Sequence, residues 1–275
     1  MKFLQTANPS FGANMAWWGK LVGGTFGFMM GGPLGALMGV ALGDLLGGGG
    51  RDSRIHAEQL GFGSVERVQS AFFTTTFSIM GFIAKADGKI TKDEINMAEQ
   101  VMQQMNLNSH QRSIAINLFN EGKKSDFPAE EVLIQFKREC IRRRNLIQMF
   151  LEIQISTALA DGYLHKNEKN VLENIAHDLG FEKYQFDSLL ARLRGHANFE
   201  DENSLTKKLE AAYELLGVNR TCSEQELKKA YRRQMNQHHP DKLVAKGLPD
   251  EMIEIATQKT QDIKAAYEII KTEKG

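Results

Sequence analysis

The chain has 275 residues, and its 34 Lys and Arg balance 34 Asp and Glu, so the formal net charge is zero. With no basic tail either, the charge gives no footing for nucleic-acid binding. Two cysteines, Cys140 and Cys222, cannot assemble a structural zinc site, which needs four ligands, and they fit a reducing compartment.

Near the N-terminus, 23 residues from Leu21 to Gly43 carry no charge. A helix of about 23 residues would span the roughly 30 Å of bilayer hydrocarbon. Trp17 and Trp18 stand just before it, where interfacial aromatics sit. The run is too long for a typical signal-peptide core. Gly23, Gly27, Gly31, Gly35, Gly39 and Gly43 recur every four residues, so the expectation is one spanning helix that meets membrane lipid and pairs with a second copy as a homodimer. A flexible Gly-rich tail or a hairpin-like insertion is the other reading. Lys2 and Lys20 on one side match Arg51 and Arg54 on the other, so charge does not orient the span. The extension before Trp17 has no readable role. Residues 47–64, opening on Gly47 to Gly50, read as a flexible link.

Residues 65–195 are helical in pattern throughout. Ala86-Asp87-Gly88-Lys89-Ile90-Thr91-Lys92-Asp93-Glu94 recurs 74 residues later as Ala160-Asp161-Gly162-Tyr163-Leu164-His165-Lys166-Asn167-Glu168. Each copy lies between apolar helical runs, so the region reads as two related helix-turn-helix units in an all-α bundle. Asp87, Glu94, Asp161 and Glu168 could be read as a weak cation site. However, the carboxylates are too few and wrongly spaced for an EF-hand. The structural reading is favoured: Gly ends one helix, and Thr91 to Glu94 caps the next, with His165 a weaker cap in the second copy. This paired acidic turn resembles the TerB (tellurite-resistance) family, which implies a binding or sensing role without naming a ligand. Lys137, Arg138, Arg142, Arg143 and Arg144 fall within eight residues on a predicted helix. They read first as a solvated face and second as a contact for anionic headgroups. His196 to Ser204 has no apolar period and reads as an acidic linker.

Residues 205–275 read as three helices. Leu205 to Leu216 is stopped by Gly217. Ser223 to Gln237 opens with Ser223 and Glu226 in capping-box spacing, and a third helix starts at Pro249 and runs to about Lys271. In the second helix Leu227, Ala230, Tyr231, Gln234 and Met235 form the inward stripe. Lys228/Arg232 and Lys229/Arg233 are i,i+4 pairs that place four positive charges outward, suited to steering an acidic partner surface. Pro240 ends this helix at His239 and limits the loop's shapes, presenting Asp241 as a fixed carboxylate with Lys242 beside it. His238 and His239 have no third residue placed to complete a metal site.

These pieces resemble the J domain of the DnaJ family at Tyr213-Glu214-Leu215-Leu216-Gly217-Val218, Leu227-Lys228-Lys229-Ala230-Tyr231-Arg232, His239-Pro240-Asp241 and Lys264-Ala265-Ala266-Tyr267. The resemblance implies that His239, Pro240 and Asp241 engage a DnaK-type chaperone while Lys228, Lys229, Arg232 and Arg233 dock electrostatically. The J domain then accelerates its partner's ATP hydrolysis and catalyses nothing itself, so no cofactor and no enzyme activity are expected. No Gly/Phe-rich stretch or Cys-x-x-Cys module accompanies it. A J domain placed after a membrane helix and a TerB-like domain resembles the membrane-anchored DnaJ-like co-chaperones of Gram-negative bacteria, implying an inner-membrane, single-pass protein with its bulk in the cytoplasm.

The expected architecture is therefore all-α: an N-terminal extension and transmembrane helix (1–46), a linker (47–64), a TerB-like helical bundle (65–195), an acidic linker (196–204) and a J-domain helical hairpin (205–275). The alternatives are a membrane-tethered scaffold or sensor acting through the TerB-like domain, and a metal-dependent enzyme centred on Asp87 and Asp161. The second lacks a nucleophile and a phosphate-binding loop.

Overall fold

The structure, a computed structural model, describes residues 31–43, 64–86, 92–159, 163–201 and 205–274. Among them every regular element is helical. The helices are α1 (Gly32–Gly43), α2 (Ser64–Ala84), α3 (Lys92–Gln104), α4 (Ser109–Gly122), α5 (Ala129–Glu139), α6 (Arg144–Ala158), α7 (Lys166–Asp178), α8 (Lys183–Asp201), α9 (Leu205–Leu216), α10 (Glu224–His238), α11 (Pro240–Val244) and α12 (Ile253–Lys274).

The centre of the first bundle is α2, buried all round from Val68 to Gly81, as befits a helix surrounded by others. Phe72, Phe73, Phe77 and Ile79 are fully buried, and Phe72 meets Phe136 and Phe150 in edge-on ring contacts. Its buried hydroxyls are partly met within the helix: Thr76 donates to the Phe72 carbonyl at 2.7 Å and Ser78 to that of Thr74 at 2.8 Å. Two glycines let α2 and α4 touch backbone to backbone. A Cβ on Gly81 would lie 2.0 Å from the Phe119 carbonyl oxygen, so any larger residue must force the helices apart.

Within the described part of the N-terminal run, the expected helix is interrupted at its start. Gly31 and Gly32 adopt positive φ, 56° and 60°, and α1 begins only there. Pro33 explains the break, since it disfavours helical geometry in the preceding residue yet suits the first turn of a helix. At about 1.5 Å per residue α1 reaches only about 18 Å. Among the described residues no helix is long and apolar enough to cross a membrane. Leu34, Leu37, Met38, Ala41 and Leu42 instead join the core of the bundle. Gln135 clamps the helix start, accepting from Leu34 N at 3.0 Å and donating to the Gly31 carbonyl at 2.9 Å. The four-residue glycine spacing drifts by about 40° per step around a helix of 3.6 residues per turn. Accordingly, Gly35 is buried against the bundle while Gly39 and Gly43 are exposed. Gly23 and Gly27 lie outside the described residues.

Two further expectations change. The basic cluster does not occupy one helix: α5 stops at Glu139, Arg142 takes a positive φ of 63°, and α6 starts at Arg144. Lys137 donates to the Asp178 carbonyl, Arg143 to that of Glu139, and Arg144 lies over the Phe181 ring. Residues 196–201, expected as linker, continue α8 to Asp201. Tertiary packing overrides their polarity, because Phe199 is buried among the J-domain residues and Gly195 lies against α9, where a Cβ would meet Glu214 Cβ at 2.6 Å.

The hairpin of α9, α10 and α12 has its own core of Leu209, Ala212, Leu216, Leu227, Ile263, Ala266 and Ile270. Leu243, Leu248, Met252 and Ala256, from the connection between α10 and α12 and the start of α12, pack instead into the core of the first bundle.

Candidate partner-docking site at the end of α10

Ser223 starts α10 through a full capping box: its hydroxyl accepts from Glu226 N at 3.2 Å, and its own N–H donates to the Glu226 carboxylate at 2.8 Å. The Ser223 backbone and hydroxyl hydrogen bonds hold the Glu226 carboxyl below its ordinary value. Leu227, Ala230 and Gln234 face inward and are buried, and Tyr231 stacks on Tyr267 of α12 at 4.4 Å. The opposite face therefore carries Lys228, Lys229, Arg232 and Arg233, all exposed. Lys228 has a loose 3.6 Å pair with Glu224, an exposed contact that holds little of its charge back.

The helix ends one residue before the proline bend. His239 leaves helical geometry at φ −58°, ψ 121°, and Pro240 opens the short helix α11, which the sequence pattern did not suggest. A proline is well suited to a first helical position because its missing N–H would have no partner there. His239 and Pro240 are half-buried, whereas Asp241 and Lys242 are exposed, with Lys242 donating to Asn236. The site is thus a row of four cations along one helix, leading into a bend whose carboxylate is open to solvent.

Behind this face lies a polar cluster that the sequence pattern did not reveal. Glu152 of α6, almost wholly buried, accepts from His238 Nε2 at 2.9 Å, from Lys259 Nζ at 2.9 Å and from Gln148 Nε2 at 2.8 Å. Burial would push the Glu152 carboxyl up, but the charges of His238 and Lys259 and the hydrogen bonds from His238 and Gln148 outweigh it and hold it well below the ordinary carboxylate range. His238 therefore belongs to this buried cluster. The only available signal was a lone acid, Glu152, inside the apolar run of α6.

The acidic turns gain no support as a cation site. Glu168 is committed to the start of α7, where it accepts from His165 N at 3.0 Å. Asp87, Asp161 and the side chain of Glu94 lie outside the described residues. Among the described residues no group of three or more His, Cys, Asp or Glu is placed to hold a metal ion.

Residues 74–191 match the family described as tellurite resistance protein TerB, residues 211–275 match the DnaJ domain, and residues 15–49 match the co-chaperone DjlA transmembrane domain. The last match marks the N-terminal segment as membrane-associated. Among curated proteins, the co-chaperone protein DjlA of Photobacterium profundum is 43% identical over 274 residues, covering 94% of this chain and 99% of the relative. DjlA of Shewanella oneidensis is 45% identical over 230 residues, covering 83% and 86%. DjlA of Escherichia coli is 44% identical over 226 residues, covering 78% and 83%. No solved structure matches the chain. The domain order, the J-domain geometry and this identity over almost the full length agree: the chain belongs to the co-chaperone DjlA family.

Proposed function

We propose that this chain is a membrane-anchored co-chaperone that stimulates the ATPase of a DnaK-type chaperone and directs it to membrane-proximal clients or signalling proteins. The observation that carries the reading is the uninterrupted outward face of Lys228, Lys229, Arg232 and Arg233 running into the exposed carboxylate of Asp241. Four cations at i,i+4 spacing give long-range attraction to an acidic surface and raise the rate of encounter. The proline bend then offers one carboxylate in a restricted geometry, suited to bidentate pairing with an arginine of the partner. His239, Pro240 and Asp241 are the triggering residues, Lys242 extends the contact, and the hydrolysis is the partner's own chemistry.

In this reading the N-terminal segment passes once through the inner membrane and leaves the bulk of the chain in the cytoplasm, where a DnaK acts. Pairing of two copies would run through Gly23, Gly27, Gly31, Gly39 and Gly43, while Gly35, buried against the bundle, would take no part. Steady-state ATP hydrolysis by a DnaK, with the full chain reconstituted in lipid nanodiscs, tests the reading. The wild type raises turnover and His239→Gln does not. A scaffold acting through the TerB-like domain alone would leave turnover at its basal rate with both proteins.

A further inference from the structure

The connection carrying His239, Pro240 and Asp241 is held from both sides by the other domain. Before it, Asn145 Nδ2 of α6 donates to the Gln237 carbonyl at 3.4 Å, and Glu152 takes the His238 ring. After it, Leu243 and Leu248 are buried in the core of the first bundle. Gly247 lies over Val68, so close that a Cβ would meet its Cγ1 at 2.8 Å. Gln69 Nε2 reaches the Leu248 carbonyl at 3.5 Å, and His196 pairs with Asp262 at 3.0 Å.

Adhesion between the domains does not require charge, since Leu243, Leu248, Met252 and Ala256 already supply a dry apolar contact. Burying an ion cluster gains little net stability over an apolar one, because desolvating the charges offsets their attraction. What such a cluster adds is direction. The His238 ring is held at both nitrogens, with the Gln234 carbonyl 3.0 Å from Nδ1 and the Glu152 carboxylate 2.9 Å from Nε2, so its plane is fixed. That ring belongs to the last residue of α10, one peptide bond before His239.

We propose that Glu152, in the TerB-like domain, is a positioning residue for the J-domain trigger: by fixing the His238 ring against Lys259 it sets the angle at which His239, Pro240 and Asp241 leave α10. This rests on the co-chaperone reading above and deepens it. The TerB-like domain then acts on a DnaK-type partner without touching it, through the geometry of the bend. The hydrogen bonds of Glu152 go to His238, Lys259 and Gln148 and to none of the four cations, so docking and triggering are separable.

The test uses the full chain in nanodiscs, with Glu152→Gln, Glu152→Asp and His238→Ala, and a DnaK whose hydrolysis is followed against co-chaperone concentration. Thermal melts verify folding, and peptide-level hydrogen exchange reports on residues 237–248. Glu152→Gln is expected to lower maximal stimulation about tenfold through misplacement of the trigger. Its half-saturating concentration should stay within about twofold, because the steering charges are intact. Exchange across 237–248 should rise, and Glu152→Asp should recover most of the maximum. His238→Ala leaves Glu152 paired with Lys259, so it reads the same split in a protein whose first bundle is unaltered, and it decides the matter if Glu152→Gln fails to fold. Wild-type maximal stimulation in a folded Glu152→Gln or His238→Ala protein overturns the proposal, as does a rise in half-saturating concentration with the maximum unchanged. If the wild type itself fails to stimulate while a DnaJ does so in parallel, the co-chaperone reading falls instead.

Discussion

Gly122 lies so close to Ser78 that a Cβ added to it would sit 1.8 Å from the Ser78 carbonyl oxygen. This contact, with Gly81 against Phe119, brings α4 onto α2 and fixes the platform from which α6 meets the J domain. Gly122→Ala is expected to destabilise the bundle by about 3 kcal/mol, since the helices must separate and open voids around Phe77 and Leu118. Chemical denaturation of the full chain checks it. An unchanged midpoint would mean that the helices yield without loss.

The apolar seam between the domains gives a second expectation. Leu248 is fully buried among residues of the first bundle, so Leu248→Asp should cost at least about 3 kcal/mol at the interface by burying an unpaired carboxylate. The hairpin retains its own core around Leu216 and Ile263, so α9 and α10 should keep their hydrogen-exchange protection while residues 243–256 lose theirs.

The ion cluster makes the seam's acid sensitivity specific. Glu152 has a folded-state value well below its ordinary 4.5, so its contribution is fully present above about pH 4.5 and is lost as pH falls towards and through the folded value. The difference in stability between the wild type and Glu152→Gln should therefore shrink as pH falls below about 4.5. The groups around it are His238, Lys259, Gln148 and Arg192, with the His196–Asp262 pair nearby. Denaturation midpoints of both proteins across this range check the sign. A difference that grows as pH falls below about 4.5 would contradict the account.

The two cysteines should differ sharply in reactivity. Burial pushes the Cys140 thiol up to about 12, against a partly compensating Arg143, with Glu139 reinforcing the rise. Cys222 is only half-buried. Iodoacetamide at neutral pH should label Cys222 on the order of 100-fold faster than Cys140 in the native chain, because the thiolate is the nucleophile. Intact-mass and peptide mass spectrometry give the two rates.

What was legible in the sequence was local. The limits of α9, the Ser223–Glu226 capping box and the outward row of four cations all follow from spacing within a few residues, and they stand as expected. Longer-range features were not. Glu152 and His238 are 86 positions apart, and neither position shows its partner in any periodicity. The six residues from His196 to Asp201 look polar along the chain, yet they remain helical because Gly195 and Phe199 pack against the J domain. The break at Gly31 and Gly32 depends on Pro33 acting backwards on its neighbour, which an uncharged-run argument overlooks. The turn at Arg142 divides a basic cluster whose charges alone favoured one helix.

The most direct measurement is single-turnover ATP hydrolysis by a DnaK titrated with the full chain in nanodiscs. It should be run beside Asp241→Ala and beside a protein with Lys228, Lys229, Arg232 and Arg233 all changed to Glu. The account predicts strong stimulation by the wild type and none by Asp241→Ala at any concentration. The charge-reversed protein should show a half-saturating concentration raised at least about tenfold and falling away with salt. Wild-type protein that leaves hydrolysis at its basal rate, while a DnaJ accelerates it under the same conditions, would contradict the account.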